Sequence, residues 1–316
     1  MLYRRTEHGG IEVAHDVAAD PIPIRLDFAH VSTLRWCDER GELLASATPK
    51  GGKAPSVSDD ERGERQLFAC RPGEAWRRIA DAPFADDAVA TEDRYVASRG
   101  AGIIVFDTDG TVLHEFRKGR FNWGPPSLSL SRDGSHLAWV RWRGDDKKLC
   151  VMRLRDFGVT EYSHSLYRYA WLDDRRLVFL LGGPPRVLDA ATEEVRTFLS
   201  ERYRDVAAAG RTLWFITNPG DAVVRSGLDG AALELAWKEK RSLRDRLRRE
   251  TRRADSIVPH EEGSASILLD VYRGRYRIVR REERWLGPLA GRAIGWMPLL
   301  DCHQPEFGFL LAFGEG

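Results

Sequence analysis

SLSLSRDGSHLAWVRW, residues 127–142, reads as a short strand, a tight Asp-Gly turn and a second strand ending in aromatic residues. Asp133-Gly134 supplies two residues that tolerate positive φ between alternating apolar side chains, the strongest short-range hairpin signal. Looser copies lie on either side: TLRWCDERGELLASA at 33–47, DAVATEDRYVAS at 87–98, YRYAWLDDRRLVFLL at 167–181 and YRDVAAAGRTLWFIT at 203–217. Arg40-Gly41 and Gly210-Arg211 bring glycine to the matching turns. Asp173-Asp174 and Glu92-Asp93 suit the same position through side-chain capping of the turn backbone.

The strand after each turn is nearly all apolar: Leu43-Leu44-Ala45, Leu137-Ala138-Trp139-Val140, Leu177-Val178-Phe179-Leu180-Leu181 and Leu213-Trp214-Phe215-Ile216. A strand apolar on both faces needs cover on both faces. Such second strands start near residues 43, 95, 137, 177, 213, 266 and 307. All-strand units repeating at that spacing define a β-propeller, in which neighbouring blades cover each other. The expected fold is all-β, with seven blades of four antiparallel strands in a single domain over 1–316. Six or eight blades also fit, since units one and six are irregular. The seventh unit ends after its second strand, FGFLLAF at 307–313, while the hairpin at 1–17 has nothing before it to pair with. That hairpin is expected to complete the last blade and close the ring, which removes exposed sheet edges.

LSRDGSHLAWV at 130–140, followed by KKLCVMRL at 147–154, resembles the repeat of TolB-type and WD-repeat-like propellers. The resemblance implies a protein-docking platform, or a cap over the active site of a prolyl-oligopeptidase-like peptidase. The second role needs an attached hydrolase. No G-x-S-x-G elbow appears, and no residues are left for a hydrolase after the seventh unit, so the peptidase role is set aside.

Net charge is +1, which predicts neither a nucleic-acid nor a membrane partner. MLYRRTEHGG has no apolar leader region, so no signal peptide or membrane span is expected. This departs from TolB-type relatives, which are often periplasmic. Cys37, Cys70, Cys150 and Cys302 are scattered through strand-like segments without a C-x-x-C pair, the pattern of buried free thiols. A cytoplasmic location is the resulting expectation.

Two segments interrupt the repeat. TPKGGKAPSVSDDERGER at 48–65 is rich in Gly, Pro, Ser and charge, and reads as a surface loop. KEKRSLRDRLRRETRR at 238–253 reads as a basic helix, with Leu243 and Leu247 on one edge and Asp245–Arg249 and Glu250–Arg253 as pairs. Arg241, Arg244, Arg248, Arg249 and Arg252 would offer an acidic partner a docking face; a solvated connector is the alternative. No aromatics interleave with these arginines, which argues against a nucleic acid.

A second constellation comes from aligning the units. Tyr167-Arg168 and Tyr203-Arg204 each begin ten residues before the second strand, at the start of the strand expected to line a central channel. Matching positions elsewhere hold Asp87, Trp123, Asp255 and Arg292. Two arginines can chelate a carboxylate or phosphate beside aromatic rings. Alternatively Asp87, Asp205 and Asp255 neutralise them in a ring of ion pairs. None of the eight histidines has metal-ligand spacing, so no metal site is assigned and no cofactor is expected, with a channel calcium ion left open. The sequence therefore favours a non-catalytic scaffold that binds a protein partner through one face, the 48–65 loop and the basic helix. The alternative is a channel-mouth enzyme, hydrolase- or lactonase-like, or a sensor of a small anionic ligand.

Overall fold

A computed structural model describes residues 2–5, 11–14, 20–52, 65–79, 85–99, 102–117, 128–143, 146–163, 168–218, 220–240, 250–259, 265–273, 277–286, 297–298 and 300–301. These residues form strands and turns, with no helix among them. The chain folds as two compact units, 1–163 with 291–316, and 164–290.

Among the described residues the first unit carries four sheets. One joins Leu2–Arg5, Ile11–Ala14 and Ile22–Ile24 to Met297–Pro298. The second holds Phe28–Cys37, Glu42–Pro49, Gln66–Cys70 and Arg77–Arg78, with Leu300–Asp301 parallel to its first strand. The third runs through Ala85–Ala90, Arg94–Arg99, Gly102–Asp107 and Val112–Arg117. The fourth runs through Leu128–Leu130, His136–Arg143, Asp146–Arg153 and Val159–Ser163. Within the third and fourth sheets every neighbouring pair is antiparallel and consecutive in sequence.

The second unit carries three. The fifth sheet holds Arg168–Trp171, Arg176–Leu180, Arg186–Asp189 and Val195–Thr197. The sixth holds Tyr203–Ala209, Thr212–Thr217, Ala222–Gly227 and Leu233–Lys238. The seventh has three strands among the described residues, Glu250–Pro259, Ala265–Arg273 and Arg277–Leu286.

Six of the expected second strands stand where the apolar runs put them; the seventh, at 307–313, lies outside the described residues. Their two faces go to different cores. Leu213 and Phe215 pack with the fifth sheet, whereas Trp214 and Ile216 pack with the seventh, all at 1% exposure or less. Burial of each such side chain stabilises by about 1.5–3 kcal/mol. In the first unit, Leu43 and Ala45 face Ile11 and Val13, and Leu44 faces Val89 and Val96.

Three expectations change in detail. The N-terminal hairpin does share a sheet with a C-terminal strand, but its neighbour is Met297–Pro298, and the N-terminal contribution extends to Ile24. The Asp133 turn is not a two-residue loop. Ser131–Ser135 connect the strands, and only Gly134 has positive φ, +68°. Asp133 Oδ1 closes that loop by accepting from the Ser131 and Ser135 hydroxyls, each at 2.7 Å, and from the Ser135 N–H at 3.0 Å.

The third concerns the interruptions. Thr48 is fully buried in a strand that runs to Pro49, so the loop expected over 48–65 begins later, and residues 53–64 lie outside the described residues. The basic segment is also shorter than the helix expected over 238–253. Lys238 ends one strand and Glu250–Arg253 open the next, with 241–249 outside the described residues. Ladder pairing of Thr251 with Tyr272 and Arg252 with Val271 prevails there over an i,i+3 Glu250–Arg253 ion pair that would contribute only about 0.2–0.5 kcal/mol.

Candidate functional site

The strand starts singled out from sequence carry a repeated ionic device. In the third sheet, Asp87 lies where a bulge shifts the register between Ala85 and Ala88. Its Oδ1 accepts from Arg35 Nε at 2.8 Å and from the Ala88 N–H at 2.8 Å. Its Oδ2 accepts from Arg35 Nη2 at 2.7 Å and from the Leu128 N–H at 2.8 Å. Arg35 belongs to the second sheet and Leu128 to the fourth, so one carboxylate ties the first strands of three successive sheets. Both side chains are buried, at 1% and 4% exposure. Bidentate geometry and two further donors meet the condition for tolerating a buried ion pair.

The second unit repeats this with different residues. Asp205 lies at a register shift after Tyr203 in the sixth sheet. Its Oδ1 takes the Val206 N–H at 2.9 Å and faces Arg168 Nε at 3.1 Å, while Oδ2 takes the Ile257 N–H at 3.2 Å. Again the cation comes from the preceding sheet and the extra N–H from the following one. Arg168 is 28% exposed, unlike Arg35. Burial pushes the Asp205 carboxyl up to about 6, against the pull of Arg168 and the two N–H donors. Arg204 Nη2 then meets Asp255 Oδ1 at 2.6 Å, with Asp255 at a third bulge between Ala254 and Ser256. That pair is about one-third exposed.

Arg168, Arg204, Asp205 and Asp255 are thus brought together as pairs in the second unit, and Asp87 stands in the first. Tyr203 is not a wall residue: it is buried, packs on Phe215 with ring centroids 4.9 Å apart, and its hydroxyl is pushed up to about 12 by burial beside Glu201. Tyr167, Trp123 and Arg292 lie outside the described residues, as do Arg241, Arg244, Arg248 and Arg249. Arg252 is a strand residue whose N–H donates to Glu239 Oε1 at 2.8 Å. Sequence reasoning missed Arg35. The available signal was an arginine-aromatic pair in a first strand, Arg35-Trp36, matching Arg168-Tyr169.

Among the described residues no group of three or more His, Cys, Asp or Glu side chains is placed to hold a metal ion. Cys37, Cys70 and Cys150 are buried free thiols, and burial beside Glu74 and Glu42 pushes Cys70 up to about 11. Cys302 lies outside the described residues. Two surface crevices of the second unit share Arg176. One, of about 400 Å³, is lined also by Val187, Asp189, Glu194, Val195 and Arg196; the other, of about 320 Å³, by Arg211, Gly227, Leu228 and Asp229. Both mix the two signs of charge, which defines no ligand class.

No protein-family model matches the chain, and no curated protein matches it either. Solved structures do. A chain of the mitotic checkpoint complex aligns at a TM-score of 0.53 and 11% identity, over 84% of this chain and 81% of that one. Hsv2 of Kluyveromyces lactis aligns at 0.51 and 10%, over 88% of this chain and 91% of that one. An acylaminoacyl peptidase of Pyrococcus horikoshii aligns at 0.53 and 11% over 89% of this chain, which spans only 49% of the peptidase. The first two are propeller-type, WD40-like chains, and the likeness is one of fold. The protein is all-β among its described residues, built mainly of four-stranded antiparallel sheets in a propeller-like fold.

Proposed function

We propose that the protein is a cytoplasmic, non-catalytic interaction scaffold, a seven-bladed TolB- or WD-repeat-like propeller that holds a protein partner against the turns and outer strands of its sheets. The observation that carries this reading is the pairing of the first-strand charges. Arg35, Arg168 and Arg204 each face an aspartate of the next sheet, at 2.7, 3.1 and 2.6 Å. Charges held this way fix neighbouring strands and leave recognition to the periphery. Fold analogy supports the same role, since one of the similar chains works within the mitotic checkpoint complex. The segments 53–64 and 241–249, the latter with Arg241, Arg244, Arg248 and Arg249, are the docking appendages in this reading, beside Arg252.

A second reading rests on one observation: the Arg204–Asp255 pair is exposed enough for a ligand carboxylate or phosphate to displace Asp255. In that case Arg168 and Arg204 serve an anionic ligand, as substrate or signal. The two separate cleanly in one experiment. Affinity capture is run with wild type, with Arg168→Ala/Arg204→Ala, and with a variant lacking 241–249, while citrate and phosphate are titrated against wild type by calorimetry. The scaffold reading expects a partner captured equally by the arginine variant and lost with the deletion, and no heat from either anion. Saturable citrate or phosphate binding abolished in the arginine variant would replace it with the ligand reading.

A further inference from the structure

Away from the first strands, three arginines converge on one buried carboxylate. Glu42 opens the second strand of the second sheet, with its side chain 3% exposed. Its Oε2 accepts from Arg40 Nε at 3.0 Å and from the Tyr95 hydroxyl at 2.8 Å, and Oε1 accepts from Arg77 Nη2 at 3.0 Å. Arg71 Nε stands 3.6 Å from the same Oε1. Burial would push the Glu42 carboxyl up, but hydrogen bonds from Arg40, Tyr95 and Arg77 hold it below its ordinary value. Glu42 therefore stays charged, and three cations around one anion leave two positive charges over.

The three arginines are not equivalent. Arg40 is a strut: 11% exposed, it donates Nη1 to the Glu92 carbonyl at 2.7 Å and lies over the Tyr95 ring, 4.5 Å from its centroid. Arg71 and Arg77 are 57% and 45% exposed. Arg77 uses only Nη2, on Glu42 and the Tyr95 oxygen, which leaves Nε and Nη1 as donors without an acceptor among the described residues. The Arg71 guanidinium makes one loose ion pair and no hydrogen bond among the described residues. The acidic side chains of the adjoining turns, Glu74 and Glu92, make no ion pair with either. The fold places a costly buried carboxylate and a tyrosine where they hold guanidinium groups at the surface, and such fixing lowers the ordering cost of binding.

We propose that Arg71 and Arg77 form a docking site for a carboxylate-bearing, acidic segment of a protein partner, with Glu42 and Tyr95 as the positioning residues behind it. The site rests on the scaffold reading and names the chemistry of the partner. Carboxylate recognition follows from the planar donor forks left open on two adjacent guanidinium groups.

The test uses the full chain and a fluorescein-labelled hexaglutamate peptide, followed by anisotropy at low and physiological salt. Arg71→Ala/Arg77→Ala is expected to weaken binding about tenfold or more. Arg196→Ala/Arg211→Ala, which removes two exposed arginines of the second unit, is expected to leave it unchanged. Arg71→Lys/Arg77→Lys should recover less than half of the loss, because a point charge does not replace the fork. Unfolding midpoints are measured on each variant to show that the fold is kept. Equal loss in both alanine variants, or no binding by wild type, overturns the site. Displacement of the peptide by inorganic phosphate at lower concentration than by glutarate overturns the carboxylate assignment in favour of phosphate. A partner captured equally by wild type and Arg71→Ala/Arg77→Ala overturns the site while leaving the scaffold reading intact.

Discussion

Removing Asp87 should be far more damaging than removing Asp205, although the two occupy the same place in their sheets. In Asp87→Ala the Arg35 guanidinium, 1% exposed, loses its bidentate carboxylate partner. Breaking a buried pair in this way costs about 3–5 kcal/mol. The buried N–H groups of Ala88 and Leu128 lose their acceptor as well, so the upper half of that range is expected. In Asp205→Ala the Arg168 side chain is 28% exposed and regains water. Two N–H groups are orphaned there too, but at neutral pH the change also removes an ionised carboxylate whose pKa burial has pushed up to about 6. That relief is worth about 3 kcal/mol, which leaves a net loss of about 1 kcal/mol. Urea unfolding followed by tryptophan fluorescence and far-UV circular dichroism measures both. Arg35→Met/Asp87→Leu should recover most of the loss, because an apolar pair of similar volume has no charge to desolvate. An Asp87→Ala cost below about 1.5 kcal/mol, or equal to that of Asp205→Ala, would refute the argument.

Three further outcomes are expected. Because the folded-state pKa of Asp205 is raised from 3.8 to about 6, its contribution to stability is fully present below pH 4 and is lost as pH rises to 6. Wild type should lose about 3 kcal/mol through this group over that window, and Asp205→Asn should flatten that part of the stability–pH curve. Gly134→Ala should cost about 1–3 kcal/mol, read as a lowered urea midpoint, since φ is +68° and the added Cβ would sit 2.9 Å from Thr91 Cγ2. Arg204→Ala should change stability by less than about 1 kcal/mol in the same assay, because the pair with Asp255 is one-third exposed and screened.

The sequence displayed what depends on neighbours along the chain and concealed what depends on neighbours across it. Apolar runs such as Leu213–Ile216 mark a strand covered on both faces, and alternate residues duly enter separate cores. The Asp133 loop announced a reversal, but its length depends on which of Asp133 and Gly134 adopts positive φ, and only Gly134 does. Aligning the repeats picked out Asp87, Asp205 and Asp255, because bulges recur at those points. Arg35 did not stand out: its partner lies 52 residues away, and nothing local separates a buried arginine from a solvated one. The Glu42 cluster was hidden for the same reason, since its members come from a turn, three strands and a loop. At Glu250–Arg253 local charge spacing pointed to a helix, and long-range ladder bonds made a strand.

The aspartate latches run in one direction, with the cation made first, the acid next and the donor N–H last. Fifty-two residues separate Arg35 from Asp87, and 41 more separate Asp87 from Leu128. At synthesis rates of about 5–20 residues per second, Arg35 waits several seconds for its anion, and Asp87 several more for its final donor. The nascent second sheet cannot reach its finished state alone, and maturation proceeds as a wave that trails the ribosome by two sheets.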